Sequence, residues 1–271
     1  LWMGSPIGVF YELLPKDIIL LSDDRITFLS RGKDGLLSLL KQGHFLLFIG
    51  SLFRLLLSSI NKSYAGWLLA KLMPVIEDIE YDLIVDYNGQ HQLYYMVDKL
   101  RGKKKISFFH SDYAKWPYYY QMDRYYYPKI DFIYTISDVC AQSLKIFFPD
   151  LVHKIRLMEN ITSPQLIQQM SNESISDVKI GGDTKFLLSL GHVCKRKGSD
   201  LAIQAASILK NKGIDFKWFF LGKELEDFSS LVDRLNLSDC IVFLGIRINP
   251  YPYLKRADLY IHPSQFEGKS I

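Results

Sequence analysis

From Lys185 onward the chain alternates brief apolar runs with longer stretches of mixed character. Lys185–Gly191 (KFLLSLG), Phe216–Gly222 (FKWFFLG), Cys240–Gly245 (CIVFLG) and Asp258–Ser264 (DLYIHPS) are short and nearly continuous in apolar residues. Runs of this kind, bounded by glycine or proline, suit strands buried on both faces. Between the first two, Ser199 can cap a helix that Gly213 ends, and Leu201, Ala205, Ile208 and Leu209 share one helical face. Glu224–Leu237 reads as a second amphipathic helix, and Pro250–Ala257 as a short helical connection. Strands and helices alternate without hairpin signals, which predicts a doubly wound α/β domain with a parallel sheet.

The first half repeats the theme. Tyr81–Tyr87, Lys104–His110, Asp131–Ser137 and Lys154–Asn160 are strand-like, with helical patterns over Gly89–Gly102 and Asp138–Phe148. Two α/β domains are therefore expected, over residues 1–162 and 185–271. The polar segment 163–184, which contains Gly181-Gly182, is the expected junction. His44–Ile60 is the most apolar stretch. It is interrupted by Arg54 and too short to span a bilayer comfortably, so it reads as a buried or amphipathic helix, with a helix resting on a membrane surface as the sharper alternative. Tyr118–Tyr127 (YYYQMDRYYY) reads as a half-exposed helix with aromatic packing.

Composition narrows the picture. A length of 271 residues suits two domains of ordinary size, and 48% hydrophobic with 23% charged residues suits a globular protein with a full core. A net charge of +4 admits anionic substrates or an anionic membrane surface and is too small to argue for nucleic acid. Cys140, Cys194 and Cys240 lie far apart, with neither metal-ligand spacing nor a disulfide framework, as expected in a reducing cytosol. The opening residues LWMGSPIGVF carry no signal-peptide pattern and read as a cut end.

Candidate chemistry sits where the strands end, since open α/β sheets gather ligands beyond their carboxyl ends. In Gly191–Asp200 (GHVCKRKGSD), Gly191 allows a tight turn, Lys195, Arg196 and Lys197 supply positive charge, and Gly198-Ser199 opens a helix whose free N–H groups favour an anion. The plainer reading is a solvated basic turn. In Pro263–Ile271 (PSQFEGKSI), Glu267 can accept bonds from sugar hydroxyls and the backbone after Gly268 can meet a phosphate. The plainer reading there is an acidic helix cap. His110 and Asp112 follow a strand and can face a cleft or serve structure alone.

Together these pieces resemble family 4 of the glycosyltransferases. The resemblance rests on LSLGHVCKRKGSDLAIQAA, WFFLGKE, IVFLG and NPYPYLKRADLYIHPSQFEGKSI in order and spacing, and more loosely on FFHSD, YTISD and IRLMENI. It implies the GT-B fold, two Rossmann-like domains facing a cleft, here incomplete at both ends. It implies transfer of a sugar from a nucleotide-diphosphate donor, with retention and without metal or other cofactor, to a glycan or lipid-linked acceptor, in the cytoplasm or at the inner membrane face. By the resemblance Lys197 binds phosphate and Glu267 contacts the donor sugar. His110 lies near sugar and phosphate, and Gly268, Lys269 and Ser270 meet sugar and phosphate through the backbone. Gly191, Arg196 and Gly198 belong to the same donor site, and Gly245, Ile246 and Arg247 flank the base. His192 stands where many members have arginine. The motif's second glutamate, expected eight positions after Glu267, falls past the last residue, so the chain is expected to be an inactive fragment. A non-catalytic partner subunit and a sugar-nucleotide epimerase of the same fold are the alternatives.

Overall fold

The computed structural model describes residues 1, 11, 14–178 and 180–265. The chain divides into two compact units, one spanning Leu1–Asn160 and a second beginning at Ile161.

The first unit opens with four helices, α1 (Asp24–Ser30), α2 (Lys33–Lys41), α3 (Phe45–Ile60) and α4 (Lys62–Leu72). It continues through β1 (Glu80–Asp86), α5 (His91–Lys99), β2 (Arg101–Phe109), α6 (Tyr120–Tyr126), β3 (Phe132–Thr135), α7 (Asp138–Phe147) and β4 (Ile155–Leu157). The four strands pair in parallel in chain order, β1-β2-β3-β4. Its core holds Tyr94, Tyr95, Tyr113, Tyr126 and Tyr127, and two of them share one buried partner. Tyr94 and Tyr113 each donate to the carboxylate of Asp123 at 2.6 Å, tying α5 and the segment after β2 to α6. Burial pushes the Asp123 carboxyl up to about 7, against the lowering effect of the two tyrosine bonds. The Tyr118–Tyr127 cluster thus splits, with Tyr126 and Tyr127 buried and Tyr118 and Tyr125 exposed.

The second unit contains α8 (Pro164–Met170), β5 (Lys185–Leu190), α9 (Ser199–Asn211), β6 (Phe216–Leu221), α10 (Ser229–Arg234), β7 (Ile241–Gly245), α11 (Tyr251–Arg256) and β8 (Leu259–Tyr260). Its parallel sheet runs β7-β6-β5-β8. Side chains alternate across the sheet. Leu187, Trp218 and Phe220 pack on one face with Ala202, Ile203 and Ala206 of α9. Phe186, Leu188, Phe219 and Leu221 pack on the other with Tyr253 and Val178. Both faces are covered, which is why the strands read as continuous apolar runs.

Three expectations change. The buried face of α9 is Ala202, Ile203 and Ala206, while Leu201 and Ile208, expected inside, are exposed. Small residues let the helix approach the sheet closely, and that face wins over the larger one. The helix expected from Glu224 begins only at Ser229. Its first residues are held by the turn after β5, where Leu225 and Glu226 both donate their N–H to the carbonyl of Val193. Residues 163–184 are also more than a connector. Asn249 donates to the Met170 carbonyl at 2.8 Å, Arg256 to that of Val178 at 2.9 Å, and Asp177 accepts from Arg247 and Tyr253.

Candidate active site

The second sheet reverses its strand order between β5 and β8, because β6 and β7 are added on one side of β5 and β8 on the other. Connections leaving the carboxyl ends of such neighbours diverge, and a crevice opens between them. The described strands of the first sheet run in chain order and have no such reversal.

Close backbone packing builds the crevice. Gly191 N–H donates to the Leu221 carbonyl at 2.9 Å and Gly222 N–H to that of Gly245 at 2.9 Å, so the ends of β5, β6 and β7 are laced together. A Cβ on Gly222, at φ +149°, would overlap the Gly191 carbonyl oxygen. From Gly191 the chain turns through His192, Val193 and Cys194 into a single turn of 3₁₀ helix, Lys195–Lys197. Gly198 then adopts φ +72°, and α9 begins. A Cβ on Gly198 would overlap the Pro263 carbonyl, with its carbon 2.8 Å away. The start of α9 therefore lies directly against the segment that follows β8.

That segment is held from beneath. Ile261 N–H donates to the Leu188 carbonyl at 2.8 Å. The Ser189 hydroxyl donates to the Ile261 carbonyl at 2.7 Å and accepts from the Trp218 indole at 3.0 Å. Gln265 N–H reaches the Arg196 carbonyl at 3.1 Å, closing the β8 segment onto the basic turn. A small pocket remains, lined by Gly191, His192, Lys197, Ser199, His262 and Pro263 among others.

The electrostatics of the pocket favour an anion. Lys195 and Arg196 are exposed and Lys197 half-buried, its stem 3.8 Å from where a Gly191 Cβ would stand. No side chain caps α9, because its N-cap residue is Gly198, and the Ser199 hydroxyl that follows accepts from Cys194 N–H. The helix start keeps its positive dipole end toward the pocket.

The structure thus brings Gly191, His192, Arg196, Lys197 and Gly198 together. Gly245, at φ +70°, ends β7 and Ile246 follows it, with β6 and β5 lying between β7 and β8 in the sheet. The Arg247 guanidinium is committed to Asp177, at 2.8 Å, which leaves the backbone of Gly245–Arg247 as the surface on offer. Glu267, Gly268, Lys269 and Ser270 lie outside the described residues. His110 belongs to the first unit, at the carboxyl end of β2. Its Nε2 is 2.9 Å from the Tyr87 carbonyl, and its ring stacks on Phe108 at 5.8 Å. Burial lowers its pKa, so it is neutral at pH 7.

Ser189 and Trp218 are not marked by the sequence as site-forming residues. Ser189 and Trp218 look like ordinary strand residues, and only their shared bond reveals that they fix the β8 segment. Gly222 offered a signal, a glycine closing a strand next to another strand that closes on glycine. Among the described residues no group of three or more His, Cys, Asp or Glu side chains could hold a metal ion.

Residues 170–271 match the family described as Glycosyl transferases group 1. The uncharacterized glycosyltransferase MJ1059 of Methanocaldococcus jannaschii is 26% identical over 149 residues, 54% of this chain and 37% of that protein. The N-acetylgalactosamine-N,N'-diacetylbacillosaminyl-diphospho-undecaprenol 4-alpha-N-acetylgalactosaminyltransferase of Campylobacter jejuni is 29% identical over 146 residues, 53% of this chain and 38% of that protein. The match therefore spans well under half the length of these curated relatives. Among solved structures, Anabaena Alr3699/HepE in complex with UDP and glucose aligns with a TM-score of 0.52 at 16% identity, covering 68% of this chain and 53% of that one. That likeness is one of fold.

Proposed function

We propose, from the premise that residues 170–271 belong to the group 1 glycosyl transferases and that the chain has the GT-B α/β fold, that this protein moves a sugar from a nucleotide-diphosphate donor to a glycan or lipid-linked acceptor. The observation that carries the reading is the basic, uncapped start of α9 lying against the β8 segment at the point where the strand order reverses. A departing diphosphate builds negative charge as the glycosidic bond breaks. Preorganised cations and helix N–H groups stabilise that charge without reorganising. Lys197 is the group assigned to this task, with Arg196 beside it and His192 in the place of the more usual arginine. Glu267 is assigned to the sugar hydroxyls and Gly268–Ser270 to backbone contacts with sugar and phosphate. His110 enters as a neutral hydrogen-bonding group. Transfer with retention and without metal follows the same reading, as does a cytoplasmic setting.

The reading extends to the membrane face through α3. Its inner side mixes Leu47, Phe48, Ser51, Arg54 and Ser58, while Phe45, Leu46, Ile49, Phe53, Leu56 and Ile60 are exposed, Leu46 at 84%. An apolar stripe of this length facing away from its own protein needs an apolar cover. Residues 31–71 also carry Arg31, Lys33, Lys41, Lys62 and Lys71 against Asp34 alone, with Lys71 paired to Asp98 at 2.9 Å. An apolar face set among cations suits an anionic lipid surface. Among the described residues no helix is long and apolar enough to cross a membrane.

Steady-state transfer by the full-length enzyme tests the site. Lys197→Ala should lower the maximal rate by roughly two to three powers of ten, the effect of losing one electrostatic stabiliser of a transition state. Glu267→Gln should impair use of the sugar donor while leaving affinity for the free nucleoside diphosphate nearly intact. Wild-type turnover in both variants would place the site elsewhere.

A further inference from the structure

The ends of β1 and β2 lie side by side, with Asp86 opposite Ser107 in the register. Asp86 is buried, and every bond it makes comes from a donor. The Ser107 hydroxyl donates to Oδ2 at 2.6 Å, Asn88 N–H to Oδ1 at 3.1 Å, and Gly89 N–H to both oxygens at 3.0 Å. A carboxylate, which only accepts, satisfies all three donors. Burial raises the Asp86 pKa, and these bonds oppose the rise. They also fold the chain after β1 into a turn that needs holding. Gly89 is at φ +70° and Gln90 at φ +59°. For a residue with a Cβ such a conformation is costly and persists only where its neighbours impose it.

The turn lies over the end of β2, where a Gly89 Cβ would stand 3.7 Å from the Phe108 carbonyl oxygen. There it holds His110. The Tyr87 carbonyl accepts from His110 Nε2 at 2.9 Å, and the two rings are 4.5 Å apart. A carbonyl can only accept, so Nε2 carries the proton. The neutral ring then has a bare lone pair on Nδ1, which has no partner among the described residues. A phosphate oxygen brings lone pairs of its own and is repelled there, whereas a hydroxyl can donate.

We propose that Asp86 is a positioning residue for His110: through Asn88 and Gly89 it holds the Tyr87 carbonyl that fixes the imidazole as its Nε2–H tautomer, with Nδ1 left to accept from a substrate hydroxyl. The tautomer and its anchor rest on the geometry of the first unit alone. The hydroxyl rests on the function proposed above.

The test uses the whole chain labelled with ¹⁵N-histidine. Long-range ¹H–¹⁵N spectra distinguish the two neutral tautomers, and His110 is assigned by the signals missing from His110→Gln. At pH 7.5 the wild type should show His110 as Nε2–H alone. Asp86→Asn replaces an acceptor oxygen by a donor and should mix in the Nδ1–H form. Ser107→Ala removes a single bond, should do the same to a smaller extent, and covers the case in which Asp86→Asn fails to fold. Thr135→Val is the control. It removes the buried bond from the Thr135 hydroxyl to the Phe109 carbonyl, 2.8 Å, and leaves the turn untouched. It should lower Tm and keep the tautomer pure. A wild-type His110 with its proton on Nδ1, or a pure Nε2–H form in every folded Asp86 and Ser107 variant, overturns the proposal. A tautomer change in Thr135→Val as large as in those variants also counts against it, since general loosening would then suffice. Sugar transfer by the full-length enzyme tests the other half. Asp86→Asn and His110→Gln should each lower kcat/KM by about tenfold or more, and the double variant should be no worse than His110→Gln alone. Additive losses would overturn the positioning role. Absence of transfer by the wild-type enzyme would count against the transferase reading and leave the tautomer result standing.

Discussion

Replacing Gly198 by alanine should dismantle the candidate site from its backbone. Two separate costs apply. The first is conformational, because Gly198 sits at φ +72° and a Cβ in the left-handed region costs about 1–2 kcal/mol. The second is steric, because the new methyl would overlap the Pro263 carbonyl oxygen and stand 2.8 Å from its carbon. The obstacle is backbone, not the end of a flexible side chain, so the β8 segment or the start of α9 must move. Overpacking of this kind costs about 1–3 kcal/mol. Together they give a loss of about 2–5 kcal/mol. Gly213 is the internal control. It has φ +71°, and a Cβ there would meet nothing within 4 Å, so Gly213→Ala should show the conformational cost alone.

Urea unfolding followed by ¹⁹F NMR of fluorotryptophan separates these outcomes. Trp218 is the single tryptophan after Asn160, and its indole bonds to Ser189 beneath the β8 segment. Its signal reports the second unit. Gly198→Ala should unfold at clearly lower urea than Gly213→Ala, and should also bind nucleoside diphosphate less well. Equal midpoints for the two variants would refute the claim that α9 is packed against Pro263.

Other consequences follow from the same structure. Asp123, with its carboxyl pushed up to about 7, holds a proton in the folded state that the unfolded chain releases near the ordinary value of 3.8. Its contribution to stability is therefore complete below about pH 4 and is lost as pH rises toward 7. The urea midpoint should fall between pH 5 and pH 7.5, and Asp123→Asn should flatten most of that fall; a rise over this range would contradict the assignment. The His110 imidazole should titrate below the ordinary histidine range by NMR, since burial disfavours its charged form, and a midpoint above 6.5 would show that a partner charge dominates instead. Ile49→Ser and Phe53→Ser, at positions 61% and 60% exposed, should weaken binding to anionic vesicles while changing Tm little, and undiminished vesicle binding would remove α3 from the membrane reading.

Much of the second unit was legible because its strands are buried on both faces. A run such as FKWFFL has no solvent side, and a parallel sheet is the ordinary way to bury both. Gly198 was legible for a related reason, since a glycine between a lysine and a helix-opening serine is a turn signal. What the sequence did not convey was decided by contacts between distant residues. Nothing near Glu224 shows that Val193 will take its backbone bonds, so the sequence pattern suggests a helix starting at Glu224 where the structure starts it at Ser229. The choice between two apolar faces of α9 depended on how near the sheet would let the helix come. The Asp123 cage joins residues 29 positions apart in one bond and 10 in the other. Helix α3 shows the limit most plainly: its apolar character is plain in the sequence, but not that Arg54 sits half-buried while Phe45, Leu46 and Phe53 stay exposed.

The central claim, that the uncapped start of α9 holds the diphosphate of a nucleotide donor, is tested most directly by calorimetric titration of a nucleoside diphosphate with and without a chelator. The account predicts saturable binding that survives the chelator and is greatly weakened by Lys197→Ala, with the folded state of the variant confirmed by its Tm. No saturable binding to the wild-type chain, or equal affinity in the variant, would contradict it.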